Sequence, residues 1–103
     1  MEEKIKKLAN YYGREKQQRK LMGECAELIQ AINKHYDYDE EFNLCPKEYD
    51  WKYFQDVVGE IADVQVMIAQ IKLLLNISDE AVNEVMKFKV DRQLERIAQK
   101  EGK

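Results

Sequence analysis

The sequence predicts one all-α domain, a four- to five-helix bundle spanning residues 1–103. Helix-favouring residues dominate the chain, which contains only one proline and four glycines. Apolar residues recur every three or four positions along most of the length, as on the buried face of a helix. No internal boundary divides the chain, and 103 residues suit a single small core.

Two helices are expected in the N-terminal half. The first covers residues 2–12, and Gly13 can end it in a left-handed conformation. The second runs from about Arg14 to Tyr36, with an inward stripe made of Leu21, Cys25, Leu28, Ile29, Ile32 and Tyr36. Residues 37–49 show no period and predict a long loop.

Two more helices are expected in the C-terminal half. The third begins near Asp50 and ends near Leu75, with Val57, Ile61, Val64, Ile68, Ile71 and Leu75 toward the core. Its opposite side is also apolar, so we expect a homodimer or homotetramer through helix three. Ser78 is suited to cap the fourth helix. That helix runs to about Gln99, with inward positions Val82, Val85, Met86, Val90, Leu94 and Ile97.

Composition argues against several classes of protein. A net charge of −3 and a pI near 5.3 do not fit a duplex nucleic-acid binder, which has a basic surface. Two cysteines and one histidine fit neither a disulfide framework nor a zinc site, so we expect a reduced, cytoplasmic setting. The N-terminus lacks the apolar core of a signal peptide, and no run of 18 apolar residues predicts a membrane span.

A short phrase occurs twice and carries the candidate chemistry. Each copy has a glycine, an acid, an alanine and a second acid three residues after the first: Gly23-Glu24-Cys25-Ala26-Glu27 and Gly59-Glu60-Ile61-Ala62-Asp63. Acids at this spacing share one face of a helix. If helices two and three pack through their apolar stripes, all four carboxylates lie along the same seam, and the glycines and alanines allow close approach.

Four converging carboxylates require neutralisation. Their mutual repulsion at an effective dielectric constant of about 20 would rival the stability of a whole domain. Protonation or a bound cation can remove it, whereas ordinary solvated surface acids would not meet. An all-oxygen ligand set without histidine suits Mg²⁺, or Mn²⁺ as a substitute. Glu24, Glu27, Glu60 and Asp63 are therefore the candidate metal ligands and catalytic residues.

Other residues are candidates for holding a phosphate-bearing substrate. Lys87, Lys89, Arg92 and Arg96 recur at helical intervals on helix four, either as a solvated face or as a phosphate clamp. Trp51 precedes the second acid pair and is a candidate for stacking on a base, although aromatic residues more often belong to the core.

These motifs resemble a known family. The pairs Glu24-x-x-Glu27 and Glu60-x-x-Asp63 on successive helices look like the signature of the MazG-like all-α nucleoside triphosphate pyrophosphohydrolases. The run Lys87-x-x-x-Asp91-Arg92 is similar to the fourth-helix element of that family, with aspartate in place of asparagine.

The resemblance implies Mg²⁺-dependent cleavage between the α and β phosphates of a nucleotide, giving a monophosphate and pyrophosphate. It implies that the four acids bind the metal, that Lys87 and Arg92 hold phosphate oxygens, and that Asp91 places the substrate or Lys87. The sequence departs from the family at Gly23, where many members carry another glutamate, and in the long interval between the acid pairs. Alternatives are phosphoribosyl-ATP pyrophosphohydrolase, an inactive nucleotide sensor and a helical interaction module.

Overall fold

Four α-helices make up the described part of the chain. The computed structural model describes the backbone of residues 1–42 and 46–102 and the side chains of residues 1–34 and 55–102. Within these ranges the helices are α1 (Glu2–Tyr12), α2 (Arg14–Phe42), α3 (Pro46–Leu74) and α4 (Asp79–Glu101), and no strand occurs. The all-α prediction is confirmed. No described helix is long and apolar enough to cross a bilayer.

Local signals in the sequence set the turns that join the helices. Gly13 has a φ of 85°, and its N–H donates to the carbonyl of Ala9, which ends α1. Asn76, with a φ of 58°, ends α3, and the N–H of Ile77 reaches back to the carbonyl of Lys72. The hydroxyl of Ser78 accepts from the N–H of Ala81, as predicted for the cap of α4.

The predicted loop over residues 37–49 is wrong. Helix α2 continues to Phe42, and α3 already begins at Pro46, so only residues 43–45 of that stretch lie outside the described backbone. The stretch lacks a hydrophobic period, but its glutamates are good helix formers. Proline at the first position of α3 is compatible with helix because that N–H has no intrahelical partner.

The core is a narrow seam between α2 and α3, closed at one end by α1. Its buried members among the described side chains are Ala9, Val64, Met67 and the amides Gln17 and Gln70. Val64 is buried as predicted, but Ile29, Ile32, Ile61 and Ile68, predicted to face inward, are 40–60% exposed. Each of the three packed helices buries only one face. The other apolar side chains of α2 and α3 are therefore exposed on the surface of the bundle.

Helix α4 departs from the prediction most strongly. Of its six predicted inward residues, only Val82 is half-buried. The other five are at least half exposed: Val85, Met86, Val90, Leu94 and Ile97. Helices α1, α2 and α3 pack against one another, whereas α4 makes only slight contact within the described chain. The pairing of Lys72 with Asp79 ties its first turn to the end of α3. An apolar stripe predicts that a helix has a partner, and among the described residues no helix packs along that of α4.

Candidate metal centre

The antiparallel packing of α2 against α3 sets which residues meet across the seam. Gln17 contacts Gln70, Glu24 lies opposite Asp63, and Glu27 lies beside Glu60. Moving seven residues forward along α2 is matched by moving seven backward along α3, which is two helical turns on each helix. The repeated acid pairs therefore face each other because of helix geometry and one fixed register.

Three carboxylates converge at the middle of this seam. Glu24, Glu60 and Asp63 each offer an oxygen, and these oxygens all lie within 4.8 Å of one another. The Oε2 atoms of Glu24 and Glu60 are buried, and neither has a hydrogen-bond partner among the described residues. Asp63 is exposed, so the group opens to solvent on one side.

The surroundings of the two glutamates disfavour their charged forms. Burial raises the pKa of Glu24 above its ordinary value of 4.5, and the negative charges of Glu27 and Asp63 raise it further. The pKa of Glu60 is raised by burial and then by the same two neighbours, with Asp56 adding to the effect. No cation among the described residues is a cause of either shift.

Glu27 joins the group through its two neighbours. The negative charge of Glu27 is among the causes that raise the pKa of both Glu24 and Glu60, so its carboxylate lies near theirs. The structure thus brings together all four acids of the repeated phrase, three in a tight group and Glu27 at its side.

The donor set fits a hard divalent cation. Carboxylate oxygens without histidine or cysteine are the ligands that Mg²⁺ and Mn²⁺ prefer in proteins. Two of the oxygens are buried and unpaired, which is costly unless something positive binds them. Lys20 is the basic side chain in the cavity beside Glu24 and Asp63. The group is suited to a cation that also contacts solvent or substrate.

The glycines beside the acids have a different role from the predicted one. A Cβ atom built on Gly23 or Gly59 would meet nothing within 4 Å among the described atoms. Both glycines lie on exposed sides of their helices, away from the seam. Close approach of α2 to α3 therefore does not depend on them, and the expectation that they act as spacers is wrong.

The candidate substrate-binding residues on α4 lie apart from the carboxylates. Lys87 Nζ contacts Asp91 Oδ2 at 3.2 Å, and the Arg92 guanidinium lies 5.6 Å from the centre of the Phe88 ring. All are exposed, and no residue of α4 lines the cavity beside the carboxylates in the described structure. Trp51 belongs to α3, but its side chain is outside the described residues. Their role in binding phosphate or base stays a prediction.

Two residues at the site were missed from the sequence. Gln17 and Gln70 are each 2% exposed and line a cavity of about 210 Å³ that also includes Glu24 and Asp63. A signal was available: Gln17 precedes Glu24 by seven residues and Gln70 follows Asp63 by seven, so each shares a helix face with its acid.

Comparison of the chain with known protein families, with curated proteins and with solved structures finds no match.

Proposed function

We propose that this chain is a Mg²⁺-dependent nucleoside triphosphate pyrophosphohydrolase of the MazG-like all-α type. It cleaves the bond between the α and β phosphates and releases a nucleoside monophosphate and pyrophosphate. The observation that carries the proposal is the meeting of Glu24, Glu60 and Asp63, from two separate acid pairs, within 4.8 Å. A Mg²⁺ ion held by few protein groups fills its shell with water and substrate phosphates, which links such a group to phosphate chemistry.

Each residue has a definite part in the proposed reaction. Glu24, Glu27, Glu60 and Asp63 hold the metal, which when bound activates water and neutralises charge on the phosphates. In the cleavage, a water oxygen forms a bond to phosphorus while the bond from phosphorus to the bridging oxygen breaks. The four carboxylates are the groups placed to take the proton from that water.

The substrate is held by the remaining candidates in this proposal. Lys87 and Arg92 bind phosphate oxygens, and Asp91 orients Lys87, a role supported by their contact at 3.2 Å. Trp51 is the candidate from the sequence for stacking on the base. Mn²⁺ can substitute for Mg²⁺ because both accept octahedral oxygen ligands.

The active form is proposed to be a homodimer or homotetramer. Helix α3 exposes Val58, Ile61 and Ile68, and α4 exposes a stripe of apolar side chains with no partner in the described chain. Charge is also self-complementary: residues 87–100 carry five basic and two acidic side chains, whereas residues 53–71 contain neither lysine nor arginine. A second copy can place α4 cations beside the carboxylates, which α4 of the same chain does not reach.

The exposed stripe of α4 favours one different function, that of a helical interaction module. In that case the acids need not bind a metal, and divalent cations would leave the melting temperature unchanged. A third possibility, a nucleotide sensor, would bind metal and nucleotide without turnover.

A nucleotide panel tests the proposal. Purified protein is incubated with Mg²⁺ or Mn²⁺ and with standard and modified nucleoside triphosphates, and released pyrophosphate is measured. We expect release from at least one nucleotide and its loss in Glu60→Gln, while the exposed control Glu84→Gln on α4 keeps it. Including phosphoribosyl-ATP separates the two enzyme activities. Absence of pyrophosphate from every substrate would overturn the enzyme proposal.

A further inference from the structure

The buried amide pair Gln17 and Gln70 has hydrogen-bonding capacity that the described residues do not use. Gln17 Nε2 donates to Gln70 Oε1 at 2.7 Å, which joins α2 to α3. Gln17 Oε1 is buried without a partner among the described residues. Gln70 Nε2 donates to Met67 Sδ at 3.7 Å, and a thioether is a weak acceptor. The pair thus offers one free acceptor and one donor that is poorly satisfied.

The count of one free acceptor and one poorly satisfied donor does not depend on how the two amides are oriented. Exchanging oxygen and nitrogen in both side chains reverses the direction of the bond between them. One amide oxygen and one amide N–H still remain for a third group. Leaving such groups unpaired in a buried place costs free energy, so a ligand or water that pairs with both is favoured.

The space in front of the pair has the size and lining of a site for one planar heterocycle. Both glutamines line the cavity of about 210 Å³, whose apolar walls come from Leu8, Tyr12, Val66 and Met67. Tyr12 presents an aromatic ring that is 40% exposed. Apolar walls with a few convergent polar groups are typical of small-molecule sites. The volume admits a ring system.

The cavity runs from the amide pair to the candidate metal centre. Gln17, Lys20 and Glu24 follow one another on one face of α2, so the amide pair lies about 10 Å along the helix from the carboxylates. That separation suits a nucleotide whose base lies at one end and whose phosphates lie at the other. Lys20 stands one turn from each end, where it can contact a phosphate oxygen.

We infer that Gln17 and Gln70, in place of Trp51, bind the hydrogen-bonding edge of a nucleobase in this cavity, with Lys20 contacting the phosphates. Trp51 lies about 28 Å from Gln70 along α3, so one base cannot reach both residues. Every nucleobase has an edge with an N–H donor beside an acceptor, and amide side chains can hydrogen-bond to such an edge. Here Gln17 would supply the acceptor and Gln70 the donor. This inference rests on the proposed function, because it takes the ligand to be the nucleotide whose phosphates reach the carboxylates.

The test uses binding to the full chain, followed by NMR of the glutamine side-chain amides. Protein labelled with ¹⁵N is titrated, with Mg²⁺ present, with AMP, GMP, CMP and UMP, and with ribose 5-phosphate as the ligand without a base. We expect the Nε2 signals of Gln17 and Gln70 to shift with at least one nucleotide and not with ribose 5-phosphate. Equal shifts with ribose 5-phosphate, or no shift with any nucleotide, would overturn the inference.

Variants separate the base site from the metal site. Gln17→Met and Gln70→Met should each weaken nucleotide binding about tenfold or more and leave ribose 5-phosphate binding unchanged, since one lost buried hydrogen bond has about that effect. The exposed control Gln65→Met on α3 should bind like the original protein. Pyrophosphate release with unchanged nucleotide affinity in both variants refutes the base site alone. Binding that depends on the glutamines, with no pyrophosphate from any nucleotide, refutes the enzyme proposal alone.

Discussion

Replacing Asp63 by asparagine should make the metal-free protein more stable and the metal-bound protein less stable. The Asp63 and Glu24 oxygens lie within 4.8 Å, and because Asp63 is exposed the dielectric constant of water applies. Two unit charges at that separation repel by about 0.9 kcal/mol in water. Removing this pair should raise the melting temperature by about 4 °C in EDTA. The substitution also removes the repulsion between Asp63 and Glu60, which raises the melting temperature further.

Mg²⁺ should raise the melting temperature of Asp63→Asn less than that of the original protein. For the original protein, Mg²⁺ at about 100 times its dissociation constant adds roughly 2.7 kcal/mol, which corresponds to a rise of about 10 °C. A neutral amide is a weaker ligand than a carboxylate, so each tenfold loss of affinity in Asp63→Asn removes about 1.4 kcal/mol of that gain. The two melting temperatures should therefore cross as Mg²⁺ is added.

Thermal melts followed by circular dichroism, with EDTA and with a Mg²⁺ series, measure both effects. Glu84→Gln is the matched control, because it removes one negative charge from an exposed site on α4. If Asp63→Asn and Glu84→Gln have equal melting temperatures in EDTA and equal responses to Mg²⁺, the carboxylates do not act as a charged group that binds a cation.

Three further predictions concern pH, helix propensity and assembly. The folded-state pKa values of Glu24 and Glu60 are raised, so in EDTA the melting temperature should rise as pH falls from 7 toward 4.5, and saturating Mg²⁺ should reverse that trend. Gly23→Ala should stabilise by up to about 1 kcal/mol in a urea melt, because a Cβ there meets nothing; a loss of stability would mean that a partner approaches that face. Leu94→Glu should lower the mass measured by sedimentation while helix content is kept, since Leu94 is 58% exposed; an unchanged mass would exclude α4 from the interface.

The sequence predicts the residues of the candidate site better than it predicts the packing of the helices. Because helical period fixes which residues share a face, the two acid pairs were expected along one seam, and the structure brings them together there. The turns at Gly13 and Ser78 were also predicted, since each depends on one residue with a specific backbone or capping role.

The errors arise where local pattern does not decide the structure. The absence of a hydrophobic period over residues 37–49 predicts a loop, but polar helix formers can extend a helix, and α2 continues to Phe42. The Gln17 and Gln70 pair was overlooked because polar side chains are ordinarily assigned to the surface. Their burial depends on the register between α2 and α3, which one helix alone does not reveal.

The proposed reaction itself gives a reason for a second copy of the chain. Four carboxylates and a triphosphate bring far more negative charge to the seam than one Mg²⁺ ion can balance, and Lys20 is the single basic side chain described in that cavity. The remaining cations suited to phosphate, Lys87 and Arg92, lie on the helix that leaves the bundle. Packing the α4 stripe of one copy against the exposed apolar face of another would bury that stripe and bring positive charge to the site. Assembly and activity should therefore be lost together when Leu94 is replaced by glutamate.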